Sequence, residues 1–206
     1  MLFRSRPVLD MVSKGAFYGC AIRKIDLPGS VTYLGRRSFA ECKSLAQIKL
    51  SMSITEIKEQ TFENCAALSS VVLPVELIRI GENAFKNCSS LEKIRFPLSL
   101  RKIEQNAFAG CTSITAIFLN EGLTTIGRDA FKGCLSLRTF IMPSTVSRIE
   151  DYDYATDVFS INFRQNDKLI IYCYLGTYGL DYATKKGYPI KDAAELFNRE
   201  RVNNDV

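Results

Sequence analysis

Apolar residues return along this chain in a fixed order. A small residue and a Phe are followed three places later by Cys. An apolar trio at spacings of three and two comes next, and then an apolar pair. The Phe positions are Phe17, Phe39, Phe62, Phe85, Phe108 and Phe131, separated by one interval of 22 residues and then by intervals of 23. The cysteines in step with them are Cys20, Cys42, Cys65, Cys88, Cys111 and Cys134. The trios are Ile22-Ile25-Leu27, Leu45-Ile48-Leu50, Leu68-Val71-Leu73, Leu91-Ile94-Phe96, Ile114-Ile117-Leu119 and Leu137-Phe140-Met142. Pro28, Pro74, Pro97 and Pro143 close four of the trios, while Ser51 and Asn120 stand in the other two. Pairs such as Leu77-Ile80 and Leu123-Ile126 follow, with Gly35, Gly81 and Gly127 behind three of them and Lys58 and Glu104 behind two others.

A period of this length marks a solenoid, in which no unit can bury its apolar face alone and each stacks on its neighbours. The end of each trio alternates apolar and polar, a period of two that suits a short strand. Proline then stops the strand, because it has no N–H for the ladder. The segment around each Phe-x-x-Cys reads as a single helical turn. The predicted coil is strand, turn, second extended leg, turn and short helical turn, with parallel pairing between successive coils. This is an α/β repeat solenoid.

The line Phe-x-x-Cys-x-x-Leu-x-x-Ile-x-Leu-Pro-x-x-Leu-x-x-Ile-Gly-x-x-Ala-Phe resembles the BspA-type leucine-rich repeat over roughly residues 9–149. The stretch "LIIYCYLGTYGLDYATKKGYPI", residues 169–190, is similar to the segment that closes such arrays, through Gly176, Thr177, Tyr182, Ala183 and Gly187. The resemblance implies a right-handed leucine-rich-repeat array with short parallel strands and a C-terminal cap. It also implies a non-enzymatic binding module of a cell-surface or secreted adhesin-like protein, with a host-matrix or other surface protein as partner. A spacer or assembly unit of a longer surface protein is the alternative.

The resulting division is an array over residues 1–149, an irregular connection and capping segment over 150–190, and a short helix with a polar tail over 191–206. In the connection, Phe159 and Phe163 are expected on the array's end. In the tail, Asp192 and Glu195 form a weak capping box, and Leu196 and Phe197 dock it. Leu9, Val12, Ala16 and Phe17 match the second half of a coil, so the chain starts within a repeat. Residues 1–8 are then either an unusual cap or the remnant of a longer natural chain.

Six regularly spaced cysteines invite four readings. Zinc needs about four converging donors, and one Cys per coil does not converge. Disulfides come nearer, since stacked coils hold equivalent Cα atoms roughly 4.8 Å apart. Their Cβ atoms, however, point in parallel, while a bridge wants them about 3.8 Å apart. Nucleophiles would lack a base, because the chain has no histidine. The remaining reading is a structural column of buried thiols filling space too small for Leu. Cys173, in "LIIYCY", fits the same reading. No metal and no cofactor is expected.

Residues that flank the buried centre of each strand must face outward, giving two columns. The first is Lys24, Gln47, Ser70, Lys93, Ala116 and Thr139; the second is Asp26, Lys49, Val72, Arg95, Phe118 and Ile141. Phe118 and Ile141, expected to be exposed and adjacent, form a candidate contact patch, with Lys49, Lys93 and Arg95 as a basic rim. The opposing possibility is that the C-terminal segment packs over them. The ligand-binding hypothesis therefore names Lys24, Asp26, Gln47, Lys49, Ser70, Val72, Lys93, Arg95, Phe118 and Ile141. A second outward row, Tyr33, Glu56, Arg79, Lys102, Thr125 and Arg148, reads either as a stripe for an acidic partner or as solubilising charge on parallel edges.

Composition narrows the picture only at its margins. Hydrophobic content of 47% and charged content of 24% suit a folded chain. Net charge is +5, with residues 1–149 carrying +8 and residues 150–206 carrying −3. That is mild for a nucleic-acid binder, and none is expected as partner. No stretch has the length of a membrane span. The N-terminus is broken by Arg4, Arg6, Pro7 and Asp10 and does not read as a signal peptide, so the expectation is either an intracellular protein or a mature form or fragment of a surface one. A monomer is expected.

Overall fold

The computed structural model describes residues 9–150 and 168–196. In chain order the elements are β1 (Met11–Val12), β2 (Lys24–Asp26), β3 (Tyr33–Leu34), β4 (Gln47–Lys49), β5 (Glu56–Ile57), β6 (Ser70–Val72), β7 (Arg79–Ile80) and β8 (Lys93–Arg95). They continue as β9 (Lys102–Ile103), β10 (Ala116–Phe118), β11 (Thr125–Ile126), β12 (Thr139–Ile141), β13 (Arg148–Ile149), β14 (Ile170–Cys173), α1 (Tyr178–Lys186) and β15 (Ile190–Asp192).

These elements wind into a parallel solenoid. One side carries the trio strands, in the orders β2-β4-β6-β8 and β10-β12-β14-β15. The second leg carries the two-residue strands, in the orders β1-β3 and β5-β7-β9-β11-β13. Register follows the repeat: Ile25 pairs with Ile48, Val71 with Ile94 and Ile117 with Phe140. The trios, the second-leg pairs and the Phe residues converge on one buried core.

The third side differs from expectation. Each Phe-x-x-Cys segment is a run of turns, not a helical turn. The cause is a left-handed residue two places before and two places after each Phe. Asn83 (φ 55°) and Asn87 (φ 60°) bracket Phe85, and Asn106 (φ 54°) and Gly110 (φ 74°) bracket Phe108. Two left-handed residues four apart cannot lie in an α-helix. Asn, Asp and Gly tolerate that conformation best, and they hold nine of the twelve such positions; Arg37, Glu41 and Gln60 hold the others. The alternation lets every second N–H point at the next coil. Gln60, Phe62 and Asn64 donate to the carbonyls of Glu82, Ala84 and Lys86, all at 2.8 Å. Asn83, Phe85 and Asn87 repeat this toward Gln105, Ala107 and Ala109. The turns are thus a third ladder.

Inside that ladder the Phe rings stack. Centroids lie 5.0 Å apart for Phe17 and Phe39, 5.2 Å for Phe62 and Phe85, and 5.5 Å for Phe108 and Phe131. Phe140 closes the stack edge-on against Phe131. Such offset pairs add about 0.5–1.5 kcal/mol beyond area burial.

The cysteines do more than fill space. Cys88 Sγ donates to the carbonyl of Phe62 at 3.2 Å, one coil back, while Cys65 N–H of that coil donates to the same oxygen at 3.1 Å. Cys42, Cys65, Cys111 and Cys134 do likewise toward Phe17, Phe39, Phe85 and Phe108. Departures from the repeat are also used. Ser51, in place of Pro, donates its hydroxyl to Gly29 O at 2.9 Å, and Asn120 Nδ2 donates to Phe96 O.

The C-terminal end is closed by β14, which pairs alongside β12, and by β15 alongside β14. Between them runs α1, capped by Thr177, whose hydroxyl accepts from Leu180 N, and ended by Gly187 at φ 74°. Residues 190–192 are therefore strand where the short helix was expected to begin. Asp192 Oδ1 accepts from Ala194 N at 2.9 Å as helical residues start at 194. Phe159, Phe163, Phe197, residues 1–8 and the polar tail lie outside the described residues.

Two substitutions measure this packing. Phe85→Ala, inside the ring column, is expected to cost about 3–5 kcal/mol in urea unfolding. Gly81→Ala would bring a Cβ to 2.9 Å from the Glu59 nitrogen and the Ile57 oxygen, and is expected to cost about 1–3 kcal/mol. A loss under half a kcal/mol for Phe85→Ala would contradict the column's role.

Candidate functional site

The trio strands are only three residues long, so each points its middle side chain at the core, with Ile25 only partly covered, and, Ile141 excepted, turns its two flanking ones outward. The ladder sets Lys24 beside Gln47, Asp26 beside Lys49, Gln47 beside Ser70, Ser70 beside Lys93 and Val72 beside Arg95. β10 lies beside β8 without a hydrogen-bonded ladder, and starts a second sheet in which Phe118 pairs with Ile141. Lys24, Asp26, Gln47, Lys49, Ser70, Val72, Lys93, Arg95 and Phe118 are all exposed. A shallow hollow lies over the first three coils, lined by Lys24, Asp26, Gln47, Lys49, Ser70 and Val72.

Ile141 departs from expectation. It is buried, at 9% exposure, because β14 extends the sheet and sets Tyr172 against it. The candidate patch thus ends at Phe118, which is 53% exposed.

One further outward column lies at the corner of the coils, outside the strand alternation. Where the chain turns after each trio strand, Met52, Val75 and Leu98 occupy one repeat position at intervals of 23. They are 45%, 64% and 72% exposed. Ser99 Oγ donates to Val75 O at 2.7 Å, tying two of these turns together. The signal was present as an apolar residue recurring in a turn, where polar residues are the rule.

Charge divides sharply between the two strand-bearing sides. On the second leg, Arg79 pairs with Glu56, with Glu59 at 3.3 Å and with Glu104 at 2.7 Å. Lys58 pairs with Glu56, and Lys102 with Glu104 at 3.1 Å and Glu150 at 3.7 Å. Lys58 and Glu104, which break the glycine pattern, are thus members of an ion-pair ladder. Cations there already face carboxylates, which removes the basis for an acidic-partner stripe. On the trio strands, by contrast, Lys24, Lys49, Lys93 and Arg95 form no ion pair among the described residues.

Burial dominates the thiols. It pushes Cys65 and Cys134 up to about 12 and raises Cys88 and Cys111 well above their ordinary value, with neighbouring thiols adding to the rise at Cys65, Cys88 and Cys111. Cys20, at the first coil, is half-buried. The buried thiols Cys65, Cys88, Cys111 and Cys134 are inert by protonation and by access. For Glu104, partial burial alone would raise the pKa, but hydrogen bonds and charge from Arg79 and Lys102 outweigh it and hold the carboxyl below its usual range.

These features define a class: a leucine-rich-repeat-type parallel solenoid with an exposed strand face. The family description "BspA type Leucine rich repeat region" matches residues 10–109 and 78–177 in six copies. The chain belongs to that family. No curated protein matches it. Among solved structures, a T. pallidum leucine-rich repeat protein is 26% identical with a TM-score of 0.69, covering 88% of this chain and 78% of its own. A Bacteroides ovatus leucine-rich repeat protein is 26% identical with a TM-score of 0.62, over 80% of this chain; the match spans 44% of that protein's length. A leucine-rich cell surface protein of Faecalibacterium prausnitzii is 26% identical with a TM-score of 0.58, covering 84% and 53% of the two chains.

Both titrating groups give pH predictions. The thiols stay protonated in the folded chain to well above 9.0, their ordinary value. Unfolding above that pH therefore releases protons. Stability should be fully present below pH 9.0 and fall as pH climbs through the raised values. For Glu104 the sign reverses: its contribution is present above the ordinary 4.5 and lost as pH falls through its lowered value. Glu104→Gln should flatten the acid limb of the stability–pH curve, and an unchanged limb would contradict the ladder. In native thiol titration, Cys20 should react first; ready labelling of several buried thiols would contradict the column.

Proposed function

We propose that this chain is a non-enzymatic protein-binding module that presents its strand face to a protein ligand at a cell surface or in the extracellular space. One observation carries the reading: the strand face leaves Lys24, Lys49, Lys93 and Arg95 unpaired among the described residues beside exposed Val72 and Phe118, while the second leg neutralises its own charge. Unpaired cations and exposed apolar groups on a regular sheet suit recognition better than scaffolding. The binding mechanism is rigid multi-point contact. Side chains anchored on stacked coils have little conformational freedom left to lose. The relative described as a cell surface protein supports the location.

The alternative, a spacer or assembly unit, draws on the opposite end. Phe17, Cys20, Ile22 and Ile25 are only partly buried there. Concentration-dependent association in sedimentation would favour it.

A Val72→Asp/Phe118→Asp variant tests the main reading against a panel of extracellular-matrix and cell-surface proteins. Each exposed anchor is worth about 1–2 kcal/mol, so the pair should weaken a bound ligand by at least about tenfold. Full retention of every interaction found would contradict the strand-face assignment.

A further inference from the structure

The strand face and the adjoining corner form one surface of alternating character. On the strands, the outward column runs Lys49, Val72, Arg95 and Phe118 through successive coils. At the corner, three residues further along each coil, Met52, Val75 and Leu98 form an apolar ridge. Each coil step is roughly 4.8 Å, so the strand column offers cation, apolar, cation, apolar over a short stretch. Lys93 stands beside Arg95 on the same strand, doubling the charge of that coil.

The surface has ends as well as a character. Of the twelve positions that flank the centres of the trio strands, Asp26 alone is a carboxylate, and it lies at the first coil. At the other end the corner column turns acidic at Glu121, whose carboxylate is used internally by Ser144 N and Oγ. Between those limits the exposed charges within the two columns are all positive, with the exposed carboxylates Glu76 and Glu92 adjoining them beside Val75 and Lys93.

We propose that this window takes an acidic polypeptide segment carrying apolar side chains, its carboxylates meeting Lys49, Lys93 and Arg95 and its apolar groups seating on Val72 and Leu98. The proposal rests on the strand-face reading above and names the partner's chemistry. Charge complementarity sets the sign: unpaired cations attract carboxylates and gain most where water is displaced. The apolar ridge sets the class. A nucleic acid or sulfated sugar would satisfy the cations but leave Val75 and Leu98 without a partner. A side-chain-bearing segment uses both. Ser70, short and polar, leaves room for its backbone.

The test uses the whole chain and three synthetic peptides of equal length: one alternating Glu and Leu, one Lys and Leu, one Glu and Ser. Binding is read by titration calorimetry at low and raised salt. Only the Glu/Leu peptide should bind well, and salt should weaken it. Lys93→Glu/Arg95→Glu and, separately, Val72→Ser/Leu98→Ser should each weaken it by about tenfold or more, with circular dichroism and thermal melts unchanged. Lys43→Glu, on the turn side, should leave binding intact. Equal binding of the Glu/Ser peptide, or stronger binding of heparin, duplex DNA or anionic vesicles, would reassign the window to a polyanion and overturn the proposal. Absence of Glu/Leu binding would overturn it too. If the Val72→Asp/Phe118→Asp variant still loses a ligand from the protein panel, the strand-face reading survives that failure. If Lys43→Glu weakens the peptide as much as Lys93→Glu/Arg95→Glu does, both fall.

Discussion

One carbonyl per coil ties this solenoid together. From Phe17 to Phe108, the oxygen of each repeat Phe accepts its own coil's Cys N–H and the next coil's Cys thiol, as Phe62 O does from Cys65 and Cys88. Both donors sit at fixed offsets from a Phe, and the bond spans the 22-residue first interval, from Cys42 to Phe17 at 2.9 Å, as well as the 23-residue ones. The ring column, the turn ladder and the strand register all follow the same coil-to-coil stacking. A hydroxyl could donate similarly, but a thiol is softer and better suited to an apolar interior.

Rigidity on the turn side frees the other two sides. The second leg spends its charged residues on one another, in a ladder from Glu56 and Lys58 through Arg79 and Glu104 to Lys102 and Glu150. Single exposed ion pairs contribute little, but networks with a forked Arg at their centre contribute more. The strand face spends nothing in this way. Its side chains are held in place by backbone pairing alone, so their identity can vary from coil to coil without disturbing the core. That separation is what lets a repeat scaffold carry a specific surface.

Much of this was legible from the sequence because the core is periodic. The trios, the Phe column and the outward positions other than Ile141 fell where the period put them, and Cys42, Cys65, Cys88, Cys111 and Cys134 read correctly as buried, with Cys20 only partly so. What escaped had local causes. The turn segments looked helical because "AFKNC" has helix-forming letters; the left-handed Asn83 and Asn87 that forbid a helix are visible only as an Asn/Gly/Asp preference across coils. Ile141 looked exposed because no repeat precedes β14 to announce another strand beside it. The helix α1 and strand β15 lie beyond the period altogether. Met52, Val75 and Leu98 were in plain view, but an apolar residue in a turn carries no expectation from strand alternation.

Amide hydrogen exchange on the native chain tests the central claim most directly. If the turns are a third ladder, the N–H groups of Phe62, Asn64, Phe85 and Asn87 should exchange as slowly as those of the central trio strands, and open only with global unfolding. Exchange of those amides at the rate of ordinary surface turns, while the strands stay protected, would contradict it.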